Sequence, residues 1–360
     1  MKRNNEGNHG EEFYRESGKL VEATVAALYR AHPEMKTRYG AAGRQRCRED
    51  IEFHYGTLAE AVMAEDANMF LKYVGWGKSV LVSRKVRTDD LIDCFLIMQD
   101  TITRWLDASV ADAANDYIQL ALDTFESFAD TPPSCIDPGS TLANVTNAYL
   151  EALLSSDRTQ ARSVIESAER MGVGLTEIYQ HVFQAAQREI GRLWQVNQIT
   201  VAQEHYCTAT TEMLMSEIHG RSPIGEVDDH LFVGACVAGE QHAIGIRMAA
   251  ETMEANGWGV YFTGANTPTA SLLDLVRRLN VDVLGLSCTT AMYLPVVRQV
   301  VGAVRECGKP TKIMVGGRMF SEFPGLWKKV GADGFAEDAG SAVRVAEKLV
   351  GMKKPGTVRA

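Results

Sequence analysis

Apolar residues return every three or four positions through REDIEFHYGTLAEAVM and DDLIDCFLIMQDTITRWL, the period of an amphipathic helix. Acids sit near their starts, where a helix N-terminus favours them. No alternating pattern competes, so residues 1–130 are expected to form an all-helical domain. From 138 to 218 the same period predicts four helices. One places Leu175, Ile178, Val182, Ala186, Ile190 and Leu193 on a single face and ends near Trp194. The next begins at Thr200, whose spacing to Gln203 is that of a capping box; Glu204 and His205 therefore fall at the start of the last helix. Past residue 230 the rhythm changes. Short apolar runs, LFVGACV, WGVYFT, VDVLGLS and TKIMVGG, alternate with helical stretches such as AIGIRMAAETMEANG and YLPVVRQVVGAVRECG. That alternation predicts a doubly wound α/β domain, a parallel sheet with helices on both faces, over 230–352.

The segments TPPSCIDPGS (131–140) and HGRSPIGEVDD (219–229) interrupt these patterns with prolines, glycines and acids. They mark the breaks between three parts. A chain of 360 residues with 46% hydrophobic and 23% charged content has material for several cores. Its formal charge of −9 speaks against unaided nucleic-acid binding, which needs a basic face. The start, MKRNNEGNHGEEF, lacks the apolar core of a signal peptide, and no run approaches a membrane span. Seven cysteines, odd in number and without a CxxC pair, suggest reduced thiols in a cytoplasm.

In open parallel sheets, ligands bind beyond the carboxyl ends of the strands. The loops of interest are therefore GEQHAIG, TGANTP, SCTTAM, GGRMF and AEDAG. Glu240 and His242 follow the first strand, with Gly245 three residues later. An imidazole there can ligate a metal while the carboxylate accepts from its other nitrogen. Ser287 and Thr289 follow the third strand and offer hydroxyls; Gly316 and Gly317 end the fourth and allow close backbone approach. A GxGxxG is absent, which speaks against a nicotinamide site.

Glu240-x-His242-x-x-Gly245, then 41 residues, Ser287-x-Thr289, then 26 residues and Gly316-Gly317 resembles the cobalamin-binding domain of methionine synthase, corrinoid carriers and cobalamin photoreceptors. The resemblance implies a Rossmann-like fold over roughly 230–350 and makes His242 the lower cobalt ligand. It places the displaced nucleotide tail in a slot lined by Ser287, Thr289, Gly316 and Gly317. Glu240 departs from that family's usual aspartate by one methylene.

The helices of 138–218 then look like a four-helix cap over the corrinoid's upper face. Trp194, nine residues, and Glu204-His205 is similar to the spacing in adenosylcobalamin photoreceptors. An indole packs against an adenosyl group, and Glu204 and His205 offer it polar contacts. Where the best-known of those receptors place a second cobalt ligand after the tryptophan, this chain has Gln195; His205, His181 or water remain as alternatives. Residues 46–100 resemble the globin-like, biliverdin-binding domain of photocobilins. That implies an apolar slot with His54, Tyr55, Tyr73 and Trp76, and propionate partners among Arg44, Arg48, Lys72, Arg84 and Lys85. Cys47 and Cys94 are the candidates for covalent attachment.

The function these resemblances imply is a non-enzymatic light sensor carrying adenosylcobalamin and biliverdin. Photolysis would leave a void beside Trp194, and voids in cores cost about 2–5 kcal/mol. The cap would then shift and alter assembly of a homo-oligomer or binding of a downstream protein. The alternative is a corrinoid carrier that shuttles a methyl group for methyltransferases. A subunit of an adenosylcobalamin mutase ranks third, since no barrel for radical chemistry is present.

Overall fold

The computed structural model describes residues 6–222 and 229–352. Most of the break expected at 219–229 lies outside those residues, as does the end of the chain. The described chain divides into two compact units: residues up to Pro133 with Gln195–Asn197, and Ser134–Trp194 with the residues from Gln198 onward.

The first unit is helical: α1 (Glu6–Ala31), α2 (Met35–Ala64), α3 (Ala67–Ser83), α4 (Thr88–Trp105) and α5 (Ala108–Asp123). Gly40, at φ 65° and ψ −169°, kinks α2. Asp66 caps α3 by accepting from the Asn68 N–H at 3.0 Å, and Asp89 and Asp90 occupy the first turn of α4. Leu20, Leu28, Leu58, Phe70, Phe95 and Met98 are buried between the helices, the inward stripe that the three-to-four spacing implies.

The second unit begins with α6 (Ala143–Leu154) and α7 (Arg158–Arg170). A long helix follows in three pieces: α8 (Leu175–Glu177), a π turn (Ile178–Phe183) and α9 (Gln184–Gln195). The fourth is α10 (Val201–His219). The π turn departs from the regular period read in the sequence. Tyr179 and Phe183, each four residues from an apolar neighbour on the same face, join Ile178, Val182, Ala186 and Ile190 in the core, while Leu193 is only partly buried. Thr200 and Gln203 form the expected capping box.

The α/β part of this unit runs β1 (Leu231–Val237), α11 (Ile244–Ala255), β2 (Gly259–Thr267), α12 (Thr269–Arg278), β3 (Val283–Ser287), α13 (Leu294–Glu306), β4 (Lys312–Gly316), α14 (Arg318–Glu322), α15 (Leu326–Lys329), β5 (Gly334–Phe335) and α16 (Ala339–Val350). All strand pairs are parallel, in the order β2-β1-β3-β4-β5. The order reverses between β1 and β3, which makes their carboxyl ends the switch point where ligands of such sheets bind. Helices α11 and α16 cover one face through Phe232, Ile246, Met253, Val283 and Ala346. Met248 and Ala339 join the helical core built around Tyr149, Tyr179 and Phe183, so the helices of 143–219 pack against α11 and the start of α16.

TGANTP was expected as a loop, yet β2 continues through TGANT. It does so with two register shifts against β1 and with Gly264 and Asn266 at φ 78° and 49°. These are β-bulges, which let an edge strand bend while still pairing. Among the described residues no helix is long and apolar enough to cross a membrane.

Candidate functional site

The switch point is built around one buried carboxylate. Glu240 is fully buried. Its Oε1 accepts from the His242 backbone N–H at 3.0 Å and meets His242 Nδ1 at 2.5 Å. Its Oε2 accepts from the Thr289 backbone N–H at 2.6 Å. One side chain thus ties the loop after β1 to the loop after β3. Burial by itself would raise the Glu240 pKa, but the hydrogen bonds and charge of His242, with the Thr289 N–H, hold it below the usual carboxylate range. The hydrogen bond from Glu240 raises the His242 pKa; burial opposes it, and the Glu240 and Glu204 charges add to it.

The imidazole of His242 is 66% exposed although its partner is fully buried. With Nδ1 held by the carboxylate, Nε2 is the nitrogen left to ligate. Among the described residues, no group of three or more His, Cys, Asp and Glu is placed to hold a metal ion. A lone imidazole suits a metal that arrives in a macrocycle supplying its own in-plane ligands. The glycines serve the same end. Gly245 faces open space at the start of α11. Gly317 has φ 94°, and a Cβ there would lie 2.5 Å from the Cys288 carbonyl oxygen. Ser287 is buried at the end of β3, and the Gly316 carbonyl accepts from the Cys288 N–H at 3.1 Å. These residues fit a cobalt corrinoid: His242 would supply the lower ligand, and Gly245, Ser287, Thr289, Gly316 and Gly317 would admit its tail.

Asn266 escaped the sequence reading. Its Oδ1 accepts from the Gly239 N–H at 2.7 Å, and its own N–H donates to the Glu240 carbonyl at 2.8 Å. It therefore fixes the turn that aims His242. The available signal was an asparagine in a Gly-Ala-Asn-Thr run, since Asn tolerates the left-handed region better than most residues. Asn266→Ala should keep the fold and weaken corrinoid binding about tenfold, in line with the loss expected for outer-shell partners of a metal ligand. Equilibrium dialysis against hydroxocobalamin measures it, and unchanged affinity would remove Asn266 from the site.

In the helical layer, Trp194 packs against the core as a partly buried residue. Glu204 Oε2 meets His205 Nδ1 at 2.6 Å, and Thr208 donates to Glu204 Oε1 at 3.0 Å. Because the Glu204 charge acts on His242, the start of α10 and the ligand loop lie within electrostatic reach. His205 is largely exposed. His181 is exposed on the π turn. Gln195 groups with the first unit, where its amide donates to Ser79 Oγ at 2.5 Å.

The residues expected to hold a bilin are only partly gathered. His54 Nδ1 meets Tyr73 Oη at 2.8 Å, and the Tyr73 and Trp76 rings lie 6.0 Å apart. Tyr55, the next residue on α2, instead bonds Thr24 at 2.7 Å. Arg84 lies eight residues beyond Trp76, about 12 Å along the helix axis, and donates to the Val80 carbonyl at 3.0 Å. Arg48 pairs with Glu22 at 2.7 Å, and Arg44 lies over the Tyr29 ring. Burial pushes the Cys47 thiol up to about 12 and Cys94 well above its ordinary value, which makes both poor nucleophiles. The structure thus brings His54, Tyr73 and Trp76 together, while Arg44, Arg48 and Arg84 have partners elsewhere.

Comparison with known proteins fixes the family. Two stretches match models described as B12 binding domains, residues 231–344 and 145–218. Dimethylamine corrinoid protein 3 of Methanosarcina mazei is 30% identical over 140 residues, 38% of this chain and 79% of that protein. The chain belongs to the corrinoid protein family. Dimethylamine corrinoid protein 2 of Methanosarcina acetivorans is 25% identical over 207 residues, covering 56% of this chain and 93% of the relative. The structure of the Methanosarcina barkeri monomethylamine corrinoid protein shares the fold, with a TM-score of 0.52 at 18% identity over 58% of this chain and all of that one. These relatives are methylamine corrinoid proteins, which overturns the expectation of a light sensor that assembles in response to light. The spacing of Trp194 and Glu204-His205, which suggested it, is compatible with a cap helix end and a capped helix start.

Proposed function

We propose that this chain is a corrinoid methyl carrier: it holds a cobalt corrinoid on His242 and presents its upper face to methyltransferases that load and unload a methyl group. The observation that carries the reading is the Glu240 bridge between the His242 imidazole and the Thr289 N–H at the switch point. The names of the relatives support the substrate class, a methylated amine. When bound, the corrinoid supplies a cobalt centre able to accept and give up a methyl group. The chain's own residues orient and shield it. Glu240 fixes the His242 tautomer and raises the basicity of Nε2, while Trp194, Glu204 and His205 belong to the layer that covers the opposite face. The chain needs no catalytic apparatus of its own in this reading, because the methyltransferases provide it.

Competition between methylcobalamin and adenosylcobalamin tests the proposal. The full chain should take up methylcobalamin with histidine replacing the cofactor's own base, seen as a shift of its absorption bands. Exclusive retention of the adenosyl form would sink the carrier reading. Glu240→Gln should lower corrinoid affinity by about 10–100-fold, because the amide cannot accept from both the His242 ring and the two backbone N–H groups with the strength of a carboxylate. A binding isotherm indistinguishable from that of the unaltered chain would mean that the bridge is unimportant.

A further inference from the structure

The helices of 143–219 pack against α11, the helix that follows the ligand loop, and one face of α11 holds them there. Arg247, Glu251 and Glu254 stand four and three residues apart, so they share a face. Tyr179, on the π turn, donates its phenolic hydrogen to Glu251 Oε2. Arg247 donates from Nε to Glu251 Oε1 at 2.7 Å and from Nη2 to Ser216 Oγ at 2.6 Å. His219 Nε2 meets Glu254 Oε2 at 2.8 Å. Tyr179 is fully buried and Glu251 nearly so, so a break in this pair leaves a buried polar group unsatisfied, which is the costly case. The first residue of α11 is Ile244, two positions after His242. Displacement of the helical layer along this face is therefore displacement relative to the imidazole. The contact starts from the π turn, where Tyr179 lies on the inward face with Ile178 and Val182.

We propose that Tyr179, Arg247, Glu251 and Ser216 are positioning residues. They form a clasp that sets the helical layer over the upper face of a corrinoid held on His242, and its release opens that face to a protein partner. This rests on the carrier reading. If Tyr179 mattered only for packing, Tyr179→Phe would change nothing, since the ring and its volume are kept.

The test uses the full chain with and without hydroxocobalamin. Backbone hydrogen exchange is followed in α10 and residues 178–183, together with the rate at which imidazole replaces the upper-face water, read from the absorption spectrum. Tyr179→Phe should speed both by about tenfold while the lower-ligand spectrum stays unchanged. Glu251→Gln keeps an acceptor for only one of Tyr179 and Arg247 and should therefore also speed both, by about threefold to tenfold. Ser216→Ala, at a surface position that cannot unfold the protein, should give an intermediate increase. Unaltered rates in Tyr179→Phe or, should that variant not fold, in Ser216→Ala, would overturn the clasp. A chain that takes up no hydroxocobalamin contradicts the carrier reading instead, and exchange in the unloaded chain still decides whether the clasp exists.

Discussion

Replacing His242 by alanine is expected to abolish the lower-ligand spectrum and reduce corrinoid affinity by about a hundredfold or more, beyond the roughly 10–100-fold typical of losing an outer-shell partner. The fold should survive. The imidazole is largely exposed, and the carboxylate that loses it keeps the Thr289 N–H as a partner. Glu240 would nevertheless be left buried with fewer donors, a penalty of about 1–3 kcal/mol, so a modest loss of stability should accompany the loss of binding. Free imidazole offered to the cobalamin-loaded variant should restore part of the spectrum, because it replaces the missing donor without replacing the chain. Titration of apo-protein with hydroxocobalamin, followed by absorption, measures both effects. An alanine variant with unchanged affinity and spectrum would remove His242 as the ligand.

Gly317→Ala is expected to be the most destabilising single-methyl change in the α/β domain. Gly317 sits at φ 94° and ψ 172°, a region almost confined to glycine, and a residue forced there costs about 1–3 kcal/mol. The added methyl would also approach the Cys288 oxygen to 2.5 Å and its carbonyl carbon and nitrogen to 3.0 Å. Those are backbone atoms at the end of β3, and they cannot rotate away as a side chain would. Overpacking of this kind adds about 1–3 kcal/mol. The combined expectation is a loss of about 2–6 kcal/mol, read from urea unfolding, with weaker corrinoid binding under the carrier proposal, in which the same backbone lines the slot. A change below about 0.5 kcal/mol, the range of an ordinary surface substitution, would show that the Gly316-Gly317 turn relaxes freely. Gly245→Ala is the control: nothing lies within 4 Å of its added methyl, so it should leave stability nearly unchanged.

The α/β domain was legible because its signals are local. Buried parallel strands read as continuous apolar runs, and β1 occupies the LFVGACV segment identified from them. The Glu240–His242 pairing was legible for the same reason, two residues of complementary chemistry two positions apart in a post-strand loop. The Thr289 contact was not. It depends on strand order, which places the third strand beside the first, and order is a property of tertiary packing that no local spacing encodes. Asn266 was missed because its strand carries bulges and turn-like residues. The π turn was hidden because a regular helical period assigns Ile178 and Val182 to the core without needing one more residue in the turn.

The light-sensing expectation failed on a different ground. Trp194 and Glu204-His205 have sufficient local explanations in a core contact and a short hydrogen-bonded pair. Their spacing acquired a meaning only through resemblance.

Methyl transfer tests the central claim most directly. The full chain is loaded with hydroxocobalamin, reduced with titanium(III) citrate, and mixed with isotopically labelled monomethylamine, dimethylamine or trimethylamine and the cognate methyltransferase. A second methyltransferase with its thiol acceptor is then added. The carrier account predicts that one of the amines gives a labelled methyl–cobalt signal on this chain and that the signal disappears as labelled thioether forms. A chain that binds the corrinoid with its histidine, yet neither takes up label from any of the three amines nor releases methyl to the thiol, would contradict it.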